Sequence, residues 1–521
     1  MKKIGAILIS LVLMAICVVL LPIQAQAASD YVEDNYVYTV TDGNATIIRT
    51  IEPLKGDVVL PATLGGYPVT ALGESAFSSC KDITGVVIPE SVKIIGDYAF
   101  GQCTALTSVV ISDNVTTIGR QAFLGCRALN DLTIGNGVTE IGHSAFWHCD
   151  SLTDVIIPDS VITIDHQAFC SCARLTNVTI GNSVANLGAY AFGWCSQLAA
   201  ITIPDSVKTI GEYAFYNCTG LTGVKIGDGV TSLGDFAFYN CDSITSLKIG
   251  NGLKTIPDCA FAYCKSLTEL TIPESVTSIG TNAFSSCKKL TNVTIPDTVT
   301  DLGAFAFAGC DNLQYSVYDN GKYLGNENNP FLILFDVVSN NATSCVIHSD
   351  TKIIGSNAFP LDNTLVSITV PDKMTTINAG ALFGCLDLTR IYYKGSQEQW
   401  QEVSEGAHNI SPNSVTVVYN YDGCNHVWNT EYLMQEPTCN AAGSKTYTCT
   451  VCSESLTKEI EKLAEHSYSN GVCAICGADK NENDNENMNE NEEKDTNFFM
   501  AIIHAIIEAF VTFFAFFGIK A

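Results

Sequence analysis

The stretch Leu106-Thr-Ser-Val109-Val-Ile111-Ser-Asp-Asn-Val115-Thr-Thr-Ile118-Gly119-Arg-Gln-Ala122-Phe123-Leu-Gly-Cys126 decides the fold of this chain. Its ending, Ala-Phe-x-x-Cys, recurs with Phe77, Phe100, Phe123, Phe146, Phe169, Phe192, Phe215, Phe238, Phe261, Phe284 and Phe307, always 23 residues apart and without an insertion. The sixth position of the unit is Ile in ten successive copies, from Ile88 to Ile295. A fixed period of this size marks a solenoid, in which each unit is one coil. The fold class read here is mainly β.

One unit explains why the coils must stack. Val109 and Ile111 share a strand face, with β-branched residues where strands favour them. Pro or Gly at the next position, as in Pro158, Pro204, Gly135 and Gly181, turns the chain off the strand. Val115 and Ile118 line a second inward face, Gly119 permits another bend, and Ala122 with Phe123 closes the coil. A single coil cannot bury this set, whereas neighbours stacked about 4.8 Å apart share one core.

These residues resemble the BspA-like leucine-rich repeat family, found in bacterial surface proteins, over residues 36–421, about three quarters of the chain. Tyr36-Val-Tyr-Thr-Val40, an Asp42-Gly43 turn and the run from Ala45 to Ile51 read as a hairpin that protects the first coil's open edge. The organisation expected is a signal peptide at 1–27, a capping hairpin at 28–56 and the repeat array at 57–313. An inserted hairpin follows at 314–348, expected to project from the stack around Asn326-Glu-Asn-Asn-Pro330. Final repeats and a C-terminal cap occupy 349–421, with Leu382 replacing Phe and Trp400 in the cap.

Both ends point to export. Lys2-Lys3, an apolar run to Leu21 and the Ala25-Gln-Ala27 site have the layout of a cleaved secretory signal, with an uncleaved anchor as the rival. The final segment, 498–521, reads as a membrane helix, since its 22 apolar-rich residues to Ile519 reach roughly 33 Å. His504, Glu508 and Thr512 form a polar stripe on it, and lying in the interface is the alternative to spanning. The chain is thus expected at the bacterial cell surface, held by that segment, or secreted. Residues 481–497, Asn-Glu-Asn-Asp in character, form a solvated acidic linker before it. With 27 Lys+Arg against 54 Asp+Glu, the net charge of −27 excludes a nucleic-acid partner.

The 22 cysteines do two jobs. Eleven, from Cys80 to Cys310, follow the repeat and read as packed, reduced thiols, because a continuous ladder of that number cannot pair completely. Cys170 and Cys259 fall at variable positions and are expected to be more accessible. Six more gather in a Cys/His module at 422–480, where Cys449-x2-Cys452 and Cys473-x2-Cys476 have zinc-ribbon spacing and offer four thiolates to one structural zinc ion. The module is too short to fold on a core alone. Disulfides, redox chemistry at a Cys-x-x-Cys pair, and ligand sets using Cys439 or His466 remain open.

Two columns could meet partners. One is the outward strand position: Val110, Thr133, Ile156, Thr179, Thr202, Lys225, Lys248, Thr271 and Thr294. The other lies beside the phenylalanines: Trp147, Trp194, Tyr216, Tyr239 and Tyr263. Exposed aromatics are enriched at interfaces, and covering coil edges is the alternative reading of this column. His143, His148 and His166 read as solvent-facing. No catalytic motif is present, neither His-Glu-x-x-His, nor Gly-x-Ser-x-Gly, nor a phosphate-binding Gly-rich loop. The function expected is non-enzymatic binding of extracellular proteins or glycans, and the resemblance implies adhesion to host, matrix or other cells. The rivals are an envelope spacer without a ligand, and a thiol- or metal-dependent activity in the Cys/His module.

Overall fold

The structure is a computed structural model that describes residues 30–338, 342–359, 364–382, 385, 387–404, 415–421, 427–429, 431–437, 441–450, 455–462, 468–469 and 472–473. The chain divides into two compact units, residues 1–423 and 424–521. The signal peptide, acidic linker and membrane helix read from the sequence lie outside the described residues. No helix among those described is long and apolar enough to cross a membrane.

In the first unit every coil makes two short strands and one long turn. The quoted coil has strands Ser108–Val110 and Thr117–Ile118, each paired in parallel with the residues 23 positions on, Asp131–Thr133 and Glu140–Ile141. Its Leu106, Val109, Ile111, Val115, Ile118, Ala122, Phe123 and Cys126 are at most 1% exposed, so the inward pattern of the sequence is the core of a mainly β solenoid. The eleven repeat phenylalanines form one unbroken stack, neighbouring centroids 4.8 to 5.5 Å apart and planes within 15°.

The turn works differently from the sequence expectation. Gly119 is not its bend: a Cβ there would lie 2.7 Å from the Gly96 carbonyl carbon, so this glycine lets the coils approach. The bend comes from two left-handed residues per coil, one before the Ala and one before the Cys. In the quoted coil they are Gln121 (φ 55°) and Gly125 (φ 69°). Only Gly125 and Gly309 are glycines among the twenty-two such positions of the eleven coils. An L-residue there is disfavoured by roughly 1–2 kcal/mol. In return its N–H points along the stack, Tyr98 N donating to Arg120 O at 2.8 Å and Gln102 N to Leu124 O at 2.6 Å, and the Phe between them does the same, Phe100 N to Ala122 O at 2.7 Å.

The residue after the sixth-position Ile also sets where the outer sheet is continuous. The sheet containing Val110 ends after the Gly135 coil, the next after Gly181 and the third after Gly250. Each break falls where the following coil has Pro instead (Pro158, Pro204 and Pro273). Glycine allows the chain to settle onto the coil before it, where Gly135 meets Ser112 O, while the proline above has no N–H with which to follow. The strands on the other side are not interrupted at these steps. At the first two steps they run in one twelve-stranded sheet from Tyr31–Glu33 to Ser232–Leu233, and at the third in the sheet of Thr255–Ile256, Ser278–Ile279 and Asp301–Leu302.

Both ends of the array are closed. Tyr36–Thr41 and Asn44–Thr50 pair antiparallel about Asp42 (φ 50°) and Gly43 (φ 71°), the two positive φ values a tight hairpin turn requires. Asn44–Thr50 then pairs in parallel with Tyr67–Leu72 and so covers the sheet edge. At the other end, helix α1 (Gln397–Ser404) buries Trp400 and Val403. It starts with a capping box, Ser396 Oγ accepting from Gln399 N at 3.3 Å and Gln399 Oε1 accepting from Ser396 N at 2.8 Å.

The inserted hairpin, Gly321–Leu324 with Ile333–Val337, does not project. Ile333–Val337 pairs in parallel with Ile353–Ile354, and Tyr323, Leu332, Ile333 and Leu334 are fully buried. It takes the place of a coil, and Asn378 Nδ2 ties the final repeats to the main array through Asp301 Oδ1 (2.9 Å) and Leu302 O (2.7 Å).

The second unit contains an antiparallel sheet of Leu433–Gln435, Gly443–Thr448 and Ser455–Ile460, and a small ladder of Tyr468–Ser469 with Val472–Cys473. Trp428, bridged to Cys449, is buried with Tyr447 and Leu456.

Removing one ring of the phenylalanine stack should be costly. Phe192→Ala is expected to lower stability by about 3–5 kcal/mol. A solenoid can open locally, so the loss should appear first as faster amide exchange in the coils around residues 169 and 215; uniform exchange across the array would contradict the shared core.

Candidate binding surfaces and thiol sites

The strand column is placed as the alternation requires. Thr133, Thr179, Thr202, Lys225, Lys248 and Thr271 are exposed, and Thr294 is half-buried because Gly325 and Asn326 of the insertion bond to Ile295 above it. The N-terminal end of this column is apolar: Val59 is 73% exposed, Val87 41%, Val110 43% and Ile156 71%. Apart from Thr133 the column is apolar and β-branched as far as Ile156, and Thr and Lys from there on.

The aromatic column is more extensive than the sequence reading. Trp147, Trp194, Tyr216 and Tyr239 are half-buried and Tyr263 is exposed. Trp194 meets Tyr216 edge-on at 5.0 Å, Tyr216 stacks on Tyr239 at 5.4 Å, and Tyr239 is tilted against Tyr263 at 5.1 Å. A second column, which the sequence reading missed, runs beside it: Tyr190 stacks on Tyr213 at 4.6 Å, and Tyr213 on Phe236 at 4.8 Å. These three occupy the left-handed position before the Ala. Their signal was three aromatics in consecutive coils, at a position that elsewhere holds Ser, Gln, Asn, Cys and the single aromatics Tyr98 and Phe305. Together the columns make a belt across the coils from Tyr190 to Tyr263, and partial burial holds Tyr190 and Tyr239 neutral, each pushed up to about 12.

Trp147 stands apart from the belt. Between it and Trp194 a groove of about 710 Å³ opens over Cys170 and Ser171. At its edge Asp150 lies 3.7 Å from Arg127 and 3.3 Å from His148, whose ring stacks on Trp147 at 5.2 Å. His148 thus belongs to a polar cluster. His143 and His166 stack on each other at 6.3 Å, with His166 bonded to Asp165 at 2.6 Å.

The repeat cysteines carry no disulfides. From Cys103 to Cys310 each Sγ donates to the carbonyl of the phenylalanine 26 residues earlier, at 3.1 to 3.6 Å. The thiol is thus a small apolar filler that also ties coil to coil. Burial pushes the Cys149, Cys172, Cys195, Cys218 and Cys264 thiols well up. Of the two variable cysteines, Cys259 is half-buried, while Cys170, expected to be accessible, is 2% exposed under the neighbouring coils and pushed up to about 12.

In the second unit Cys449 is buried at the end of strand Gly443–Thr448, and the backbone of Cys473 lies in Val472–Cys473. Cys452 and Cys476 lie outside the described residues. Among those described, no group of three His, Cys, Asp or Glu side chains is placed to hold a metal.

Stacked strand-and-turn coils of this length, closed at both ends, define a leucine-rich-repeat solenoid. The model of the BspA type leucine rich repeat region matches residues 70–199, 185–314 and 335–416, more than half the chain, and the protein belongs to that family. It is similar to a leucine-rich repeat protein from Bacteroides ovatus (25% identity over 75% of this chain and 100% of that one, TM-score 0.47). It is also similar to a leucine rich cell surface protein from Faecalibacterium prausnitzii (31% identity, 56% and 96% coverage, TM-score 0.33) and to the pneumococcal vaccine antigen PcpA (17%, 75% and 98%, TM-score 0.35). No curated protein matches.

The thiol ladder predicts both labelling and pH response. Iodoacetamide followed by mass spectrometry should modify Cys259 in the native protein and spare Cys126 to Cys264 of the ladder until denaturation. An unfolded thiol ionises near about pH 8.5, whereas these stay protonated when folded. The unfolded state then binds fewer protons, so stability present below that pH should fall as the pH rises above it. Urea midpoints that stay level from pH 8 to 10 would contradict this.

Proposed function

We propose that this protein is a non-catalytic binding protein of the bacterial cell surface, which uses the aromatic belt to hold extracellular proteins or glycans in adhesion. The observation that carries the reading is the belt itself. A solenoid needs its inward residues to stack, but nothing in the stacking requires Tyr190, Tyr213, Phe236, Trp194, Tyr216, Tyr239 and Tyr263 to be aromatic, since the coil of Phe77 carries Ser at all three kinds of position, Ser75, Ser78 and Ser79. Large rigid aromatics anchor interfaces at low entropic cost. Export rests on Lys2-Lys3, the apolar run and the Ala25-Gln-Ala27 site, and retention on residues 498–521, spanning the membrane or lying on it.

The same reading gives the C-terminal module a structural zinc ion held by Cys449, Cys452, Cys473 and Cys476. Four thiolates would supply the folding free energy that so short a segment lacks.

Two measurements test this reading. The full chain should be retained by at least one member of a panel of matrix proteins and glycans. Tyr213→Ser with Tyr216→Ser, which borrow residues native to other coils, should weaken that binding at least tenfold; no retention at all, or equal binding by the variant, would count against the proposal. Metal analysis of the purified full chain should find one zinc per chain, lost with chelator; zinc-free protein with these thiols oxidised would leave disulfides as the staple.

A further inference from the structure

The belt is missing one rung. At the first and second positions after the buried phenylalanine, successive coils supply Trp147 and His148, then Cys170 and Ser171, then Gly193 and Trp194. The middle coil has no ring, and the groove between the indoles is that vacancy. Its width is two coil steps, and the phenylalanines beneath are 5.1 and 5.4 Å apart. Trp194 lies within 8° of the Tyr190 plane, and Tyr190 stacks coil-on-coil with Tyr213, so an indole face looks along the stack into the groove. The Trp147 indole N–H is shielded from water and has no acceptor among the described residues. A buried donor without a partner lowers stability, so the fold makes no use of this indole's hydrogen-bonding capacity.

The chemistry of the edges selects the occupant. A flat ring between two walls needs only about 7–8 Å, two van der Waals layers of about 3.5–4 Å each; two coil steps leave room for a thicker, puckered ring. Asp150 accepts and Arg127 donates at one edge, and Gln167 does both. A phenylalanine of a partner protein would strip water from that pair and return no hydrogen bond, and a tyrosine or tryptophan would return one where a pyranose offers several hydroxyls. An extended peptide along the stack repeats a face every two residues, about 6.6 Å, out of step with the coils. A polyanion would be opposed by the net charge of −27.

We propose that the groove between Trp147 and Trp194 binds one pyranose ring of a neutral glycan, which fills the missing rung with its CH face on the Trp194 indole and its hydroxyls on Asp150 and Arg127. This rests on reading the belt as a binding face, and it names the ligand class for one end of it.

The test uses the full chain and its own fluorescence. The chain has four tryptophans. Trp400 and Trp428 are 6% and 2% exposed, so an emission change on adding ligand reports on the other two. Neutral oligosaccharides selected on a glycan array should give a saturable emission change. Trp194→Ser and Asp150→Asn should each weaken binding at least tenfold, while Lys81→Ala, an exposed residue outside both the belt and the groove, should leave it unchanged. Ser171→Trp gives up only the Ser171 Oγ contact with Cys170 Sγ at 3.8 Å and fills the rung with a ring, at a left-handed position where Trp194 and Tyr263 show that aromatics fit. It should abolish binding with the circular dichroism spectrum intact. Array binding that survives both Trp194→Ser and Ser171→Trp, or no glycan binding at all, overturns the inference. If matrix proteins are still retained and lost with Tyr213→Ser and Tyr216→Ser, the groove proposal alone fails. If neither class binds, the wider reading fails with it.

Discussion

Everything in the first unit depends on one repeated contact: the turn of each coil presents its backbone N–H groups to the carbonyls of the next. Phe100 N to Ala122 O and its equivalents form that ladder, with the phenylalanine stack directly beneath. Such a backbone can exist only in a column, because a lone coil would leave those groups and its rings in water. The cysteine completes the contact from the side chain. Its thiol is small enough for the gap and donates to the same carbonyl that accepts its own coil's turn bond, as Phe100 O does for Cys103 N and Cys126 Sγ. A disulfide would spend two of these donors on one link.

This arrangement explains why the outer surface is free to vary. Left-handed residues are disfavoured alone, but here the ladder over-determines their conformation, so side-chain identity at those positions has little bearing on the fold. Ser, Gln, Tyr, Phe, Asn, Cys and Trp all occupy them. The aromatic belt and the rung missing at Ser171 are variations written on a backbone that does not respond to them. A binding surface can change one coil at a time.

The acidic excess has a similar explanation in part. Asp113 Oδ1 accepts from Asn136 N at 2.7 Å, Asp159 Oδ1 from Asn182 N at 2.7 Å and Asp205 Oδ1 from Asp228 N at 2.8 Å. These carboxylates satisfy turn N–H groups of the coil above, so a share of the negative charge is part of the scaffold. Lys and Arg are sparse, and the few at hand, such as Arg127, acquire local meaning.

The 23-residue period, the inward pattern and the tight hairpin at Asp42-Gly43 were legible in the amino-acid order alone, because each follows from the spacing of apolar side chains or from φ preferences of single residues. Three features were not. Gly119 looks like a bend in one dimension and is a close approach in three. Cys170 sits at a variable position yet is covered by its neighbours, and Asn326-Glu-Asn-Asn-Pro330 looks like the tip of a projecting hairpin whose strands complete a coil. The groove between Trp147 and Trp194 belongs to this second group: its walls are 47 residues apart in the chain. Local order determines what one coil must bury; which outward side chains become neighbours is decided only when coils stack, because that contact runs across the period and not along it.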